Sequence, residues 1–351
     1  MAETIILTND AQTRKKWAKD LYSIVMPATE INYLLGSGSG AIIEERTDLA
    51  KGEGDVIKFD IMLPLVGEGR VGREKVEGNE EELVFKDFNL TIEELNHAVN
   101  TGGKMDEQRI PYPLMEKAKS GLQYWWASKL SDMAFATLCG DTTYTVAGHT
   151  FGQAPVAPDS DHHLKVNDVA EASMTEADIM DLNFLDRMKQ LAEVPTTTNC
   201  FKIRPLVLNG KNYYRVILHN YVFDQLKNNT NIGQWGDLLR AAGKLNQPQV
   251  EIEYNGMLIS KSERIRRMVA DTTETRAGVF RNLFLGCQAC AFAWGGAGES
   301  KSTTMSFVPY TTDAERFMNV RGGGIFGMKV VRFAGYDFGR IVGSSWGTPL
   351  K

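Results

Sequence analysis

Hydrophobic residues recur along this chain with two periods, and each period names an element where it holds. Apolar positions Leu114, Ala118, Leu122, the pair Trp125 and Trp126, Leu130, Met133 and Leu138 recur at helical spacing, with Glu116, Lys117, Lys119, Lys129 and Asp132 on the opposite side. That spacing predicts one long amphipathic helix. Pro111 and Pro113 suit its start and Gly140 its stop, which bounds it at about 112–139. About 25 residues at 1.5 Å each span roughly 37 Å, the length of a spine. Shorter helices are predicted at Ala11–Leu21, at Asn220–Lys227 and at Ile232–Ala242. Another carries Ile179, Leu182, Leu185, Met188 and Leu191 on one face, with Thr175 and Asp178 as its cap and Pro195 as its end.

Period two marks the strands. Ile57, Phe59 and Ile61 share a face within residues 55–63, and residues 83–92 form a second strand. The alternation there slips near Lys86 and Asp87, which predicts a bulge. Asn209-Gly210 and Asn255-Gly256 are hairpin turns between apolar runs. Residues 279–294 read as helix or strand, and the end is strand-rich at 328–333 and 337–342.

Residues 64–82, between the first two strands, are rich in glycine (Gly67, Gly69, Gly72, Gly78) and crowded with charge. A loop of about 20 residues is uncommon in a compact domain unless it has a task. Strand, loop and strand therefore read as a long projecting hairpin. Such a ribbon is marginal alone in water and needs a partner surface. Its charged residues Arg70, Arg73, Lys75, Glu77 and Glu80 are candidates for contact with a second subunit. Residues 1–50 show no core of their own and read as an arm, whose candidate contact residues are Arg14 and Trp17. Gly36 to Gly40 read as a hinge within it.

Composition narrows the function. Hydrophobic residues make up 43% and charged residues 24%, within the range of a folded protein. A net charge of −5 argues against a sequence-specific nucleic-acid binder, which carries a basic face. Four cysteines at irregular spacing do not make a disulfide framework. No signal peptide and no apolar run long enough to span a membrane is present.

The chemical motifs are weak. Gly36 to Gly40 lack the lysine of a phosphate loop, and Gly322 to Gly324 fail the same test. Cys287 and Cys290 form a CxxC with no second ligand pair, so buried packing is expected. Asp159, Asp161, His162 and His163 are the most metal-like cluster, in a proline-rich loop. The expectation is no catalytic residue, no cofactor, no metal and no enzymatic activity.

Several segments together carry a family likeness. They are Ala41-Ile42-Ile43, residues 49–55, Val76 to Glu81, His97-Ala98-Val99, Met105 to Arg109 and Trp125-Trp126-Ala127, with weaker echoes at 216–219, 254–256 and 284–289. With the order arm, charged hairpin, spine helix, α+β lobe and returning strands, the chain resembles the tailed-bacteriophage major capsid proteins of the Hong Kong 97-type fold. The resemblance is to the subfamily of coliphage N-4-type viruses and is densest from 40 to 140. It implies an α+β fold with an N-terminal arm at 1–50 and an extended loop at 51–95. A peripheral domain would take 96–175 with the spine helix, an axial domain 176–310, and return strands of the peripheral domain 311–351. It further implies hexamers and pentamers in an icosahedral shell, made in the host cytoplasm and ending in the virion. Expected partners are a separate scaffolding protein, a portal, a decoration protein and packaged double-stranded DNA touched non-specifically, with no membrane. A cellular compartment shell of the encapsulin type and an unrecognised metal-dependent enzyme are the alternatives.

Overall fold

The computed structural model describes residues 31–47, 54–62, 65, 69–110, 113–194, 202–229, 251–271, 276–296, 305–314 and 316–350. The helices expected at 11–21 and 232–242, and with them Arg14 and Trp17, lie outside the described residues. The described residues fall into two compact units, 95–128 with 305–323, and 31–94 with 129–296 and 324–350.

The smaller unit contains most of strand Glu93–Gly103, helix α1 (Lys104–Arg109), the first part of helix α2 (Leu114–Cys139) and strand Met305–Thr312. It also holds the first half of the long strand Phe317–Val330. The Thr101 hydroxyl donates to the Met318 carbonyl at 2.9 Å, and His97 stacks on Trp125 with ring centroids 4.3 Å apart. Leu122, Trp126 and Val320 are buried here.

In the larger unit a mixed sheet runs in the order His163–Lys165, Arg340–Gly347, Gly278–Leu285, Lys211–His219, Met257–Ser262, Ile252–Tyr254. Every residue of Gly278–Leu285 and of Arg340–Gly347 is buried, as expected of central strands. Helices α3 (Leu182–Glu193) and α4 (Asn220–Lys227) lie against this sheet. Gly343 has no Cβ because Phe184 and Met188 of α3 occupy that space. A second set of strands aligns Leu35–Gly36, Ile43–Arg46, Cys290–Gly295 and the second half of Phe317–Val330.

Most local expectations hold. Helix α2 begins just after Pro113 and ends at Gly140, whose φ of 67° only glycine adopts freely, and a Cβ there would sit 2.7 Å from the Val156 carbonyl oxygen. Asn209 and Asn255 sit at positive φ in the two predicted turns. Two expectations fail and one strand was missed. Helix α3 starts at Leu182, with Asp181 accepting from the Phe184 N–H, while Asp178 instead bonds Thr175 in a separate turn. Ile179 is therefore outside the helix and 38% exposed. No bulge interrupts Phe85–Thr91: it pairs residue for residue with Val56–Met62. Phe85 points outward while Phe88 and Leu90 point inward, and that parity produced the apparent slip. Strand Glu93–Gly103 was not anticipated. Within the Gly36 to Gly40 segment, the Ser39 carbonyl accepts from Arg204 and the Gly40 carbonyl from the Cys287 thiol.

Candidate assembly surface

The hairpin Val56–Met62 and Phe85–Thr91 has two different ends. Its root is part of the core of the larger unit. Ile57, Phe88 and Leu90 pack with Ala291, Ala293, Val331, Phe333 and Phe338. Phe88 meets Phe59 at 5.7 Å and Phe333 at 6.2 Å between ring centroids. The Lys329 ammonium lies 4.8 Å over the Phe88 ring and donates to the Asn89 carbonyl at 2.8 Å.

The other end is open. Every described residue from 69 to 84 is exposed, Arg70, Arg73, Lys75, Glu77 and Glu80 included. Short bonds within the loop tie its two sides together. Arg70 donates to Asn79 at 2.8 Å and lies 3.8 Å from Glu74, and the Gly78 N–H donates to Glu80 at 2.8 Å. Val71, Val76, Leu83, Val84 and Phe85 are exposed as well. Apolar side chains held in water by a short internal network form a surface that gains by being covered.

A buried charged hub supports this arrangement at the C-terminal end of α2. A helix end leaves its last carbonyls without partners. Here Arg340 donates to the Thr137 and Leu138 carbonyls, and Arg281 to those of Cys139 and Gly140. Both cations are themselves paired, Arg340 with Asp337 at 2.8 Å and Arg281 with Glu171 at 2.7 Å. Burial opposes ionisation of Glu171, but hydrogen bonds from Arg281, His163 and Ser344 outweigh it and hold the carboxyl below its usual range.

The residues that looked metal-like belong to this hub. Asp159 accepts from the Asp161, His162 and Asp337 N–H groups and from the His162 ring, while His163 bonds Ser344. Burial of Asp159 works against its charge, yet these bonds bring its carboxyl down to about 2. Its oxygens are spent on the protein itself. Among the described residues, no group of three or more His, Cys, Asp or Glu is disposed to hold a metal. Cys287 and Cys290 are buried, and burial pushes the Cys290 thiol up to about 12. Burial also raises the Cys287 thiol, so both are held in the neutral form that packing thiols take.

The comparisons with known proteins agree with this geometry. The sequence pattern of the phage capsid protein family matches residues 6–345. The chain belongs to the phage capsid protein family. The capsid protein is 29% identical over 151 residues to the major capsid protein of Pseudomonas phage KPP25, a match that spans 42% of this chain and 40% of that protein. Its fold is that of solved phage shells. It superposes on the capsid of Ralstonia phage GP4 with a TM-score of 0.81, 22% identity and full coverage of both chains. Against the cyanophage Pam1 capsid asymmetric unit the TM-score is 0.78, with 18% identity and 99% of each chain covered. The Hong Kong 97-type fold expected from sequence is therefore the fold observed, and the virion capsid is the place of this protein. No described helix is long and apolar enough to cross a membrane. The compartment-shell and enzyme alternatives draw no support from these matches.

Proposed function

We propose that this capsid protein is the major shell subunit of a tailed phage, assembling as hexamers and pentamers into a closed head around double-stranded DNA. The observation that carries the proposal is the hairpin: its root is locked into the core by Phe88 and Leu90, while the described residues 69–84 of its loop are all exposed and in part apolar. A monomer gains nothing from such an appendage, whereas a neighbour in a shell can cover it. Under this reading residues 1–50 are the arm, 51–95 the extended loop, 96–175 and 311–351 the peripheral domain, and 176–310 the axial domain, except that strand Arg340–Gly347 pairs along its whole length with Gly278–Leu285 and so goes with the axial sheet. Arg70, Arg73, Lys75, Glu77 and Glu80, with Arg14 and Trp17 of the arm, are the contact residues. Scaffolding, portal and decoration proteins are the expected partners. The modest negative charge suits a wall along which packaged DNA slides. Placement in the coliphage N-4-type subfamily rests on the segments at 41–43, 49–55, 76–81, 97–99, 105–109 and 125–127, with weaker echoes at 216–219, 254–256 and 284–289.

The test is assembly. The chain is expressed alone and with candidate scaffolding proteins, then followed by light scattering and negative-stain microscopy. Shells, tubes or rings of five or six support the proposal, and a stable small oligomer under every condition ends it. Deleting Val66 to Glu81 is expected to leave a folded subunit that forms no closed shell.

A further inference from the structure

Two turns of the larger unit carry the same dipeptide in the same backbone conformation. Asn209-Gly210 joins Leu206–Leu208 to Lys211–His219, and Asn255-Gly256 joins Ile252–Tyr254 to Met257–Ser262. The flanking pairs Leu208↔Lys211 and Tyr254↔Met257 leave two residues in each turn. All four turn residues have positive φ, 51° and 76° in the first turn, 45° and 69° in the second. Asparagine followed by glycine is a labile pair, because glycine has no side chain to shield its backbone nitrogen from the asparagine amide carbon.

The surroundings of the two turns differ. Asn255 Oδ1 accepts from the Lys189 ammonium at 2.9 Å, and its Nδ2 donates to the Asp186 carboxylate at 3.0 Å. The Tyr254 hydroxyl donates to the other oxygen of Asp186 at 2.7 Å and fixes that carboxylate. Lys189 and Asp186 both belong to helix α3, so the Asn255 amide is clamped at both ends to one element. A Cβ on Gly256 would lie 3.4 Å from the Asn212 carbonyl oxygen and 3.7 Å from the Lys189 Nζ. At the first turn Asn209 and Gly210 are both exposed, and a Cβ on Gly210 would meet nothing within 4 Å. Among the described residues no bond holds the Asn209 amide.

We propose that Asn209 is a site of spontaneous covalent modification and that its twin, Asn255, is protected from it by the clamp. The Gly210 nitrogen gives its proton to hydroxide and attacks Cγ of Asn209. A C–N bond forms, the Cγ–Nδ2 bond breaks, and ammonia leaves with a proton from water. Water then opens the cyclic imide at one carbonyl or the other, giving aspartate or isoaspartate. Attack requires Cγ to swing onto the following nitrogen. At Asn255 that swing must first break bonds to two ionised groups, which slows the reaction about tenfold or more. The ammonium also polarises the Asn255 carbonyl, but that help is lost once the amide turns away from it. The products bear on the fold: aspartate adds a negative charge to an exposed turn, and isoaspartate adds a methylene to the backbone of a two-residue turn that sets the register of Leu206–Leu208. The site follows from the fold and does not depend on the shell reading.

The experiment ages the purified full chain at mildly alkaline pH, digests it, and separates the two Asn-Gly peptides by liquid chromatography with mass spectrometry, which distinguishes asparagine, aspartate and isoaspartate. Unaged protein sets the zero. Folded protein is expected to convert Asn209 about tenfold faster than Asn255, or more, while protein held in denaturant converts both at similar rates. Equal rates in the folded protein, or a faster Asn255, overturn the proposal. So does a folded Asn209 that stays intact while the denatured chain reacts at both sites. A double variant, Asp186→Ala with Lys189→Ala, removes the clamp and should bring Asn255 up to the rate of Asn209. A variant that melts like the parent and still spares Asn255 overturns the protection, and if it fails to fold the comparison of the two sites in the parent chain decides alone.

Discussion

The guanidinium of Arg340 donates to the carbonyl oxygen of Leu138 at 2.8 Å, so a residue of the last long strand closes the end of the spine helix. Arg340 is fully buried and its charge is balanced by Asp337, also fully buried. Removing one member strands the other in the core. Arg340→Ala is expected to cost about 3–5 kcal/mol, the range for breaking a buried pair. Equilibrium denaturation of the unassembled subunit reads this loss, and a loss under 1 kcal/mol would show that the helix end is held by other means.

Phe88 and Phe85 lie on one strand and face opposite ways, 4% and 61% exposed. Their substitutions should separate folding from assembly. Phe88→Ala leaves a hole in the root cluster and is expected to cost about 3–5 kcal/mol. Phe85→Ser should change stability by no more than about 0.5 kcal/mol, as surface substitutions do, while lowering the yield of shells. Melting curves and particle counts on both variants check the pair.

Stability should fall in acid in two stages. Burial, then repulsion from Arg267, brings His219 down to about 4. An unfolded histidine titrates near 6.5. The unfolded chain therefore takes the proton first, and the stability His219 contributes is full above about pH 6.5 and lost as pH falls toward 4. Its Nδ1 also accepts the Tyr221 N–H at the start of helix α4. His219→Asn keeps an acceptor there and should flatten the melting temperature between pH 6.5 and 4. The second stage belongs to Asp159 and Glu171, whose carboxyls are held low. Their contribution is full above about pH 4, the unfolded carboxyl range, and disappears as pH falls to about 2 and below. Glu171→Gln should shift acid unfolding to higher pH.

Gly140→Ala tests the helix stop. The positive φ and the nearby Val156 carbonyl oxygen both oppose a side chain. A loss of about 1–3 kcal/mol is expected from backbone strain alone, and an unchanged melting temperature would contradict the geometry.

What the sequence showed and what it hid have physical reasons. Pro113 and Gly140 mark the helix ends by local chemistry, and Asn209 and Asn255 mark turns in the same way, so both were legible. Strand Glu93–Gly103 alternates correctly, but its half-buried positions include His97 and Thr101, which a hydrophobic count passes over. The Phe85 side chain belongs outside, so its hydrophobicity misreported its parity. Residues 141–175 read as a bare loop because their partners are far along the chain. Glu171 meets Arg281, while the Val156 and Ala157 carbonyls meet Arg340 and Arg332. The candidate residues of the hairpin tip were visible as charge, but the cavity at its root, formed from six separate stretches of chain, was not.

The hub at the helix end also sets an order in time. Thr137 and Leu138 leave the ribosome about 200 residues before Arg340, the residue that satisfies them. A growing chain can form the spine helix early, yet its last turn waits for the final strand. Until then the core beneath the hairpin lacks Phe333 and Phe338 as well. A chain cut short before this strand thus leaves the end of the helix unsatisfied and the root of the hairpin short of two phenylalanines.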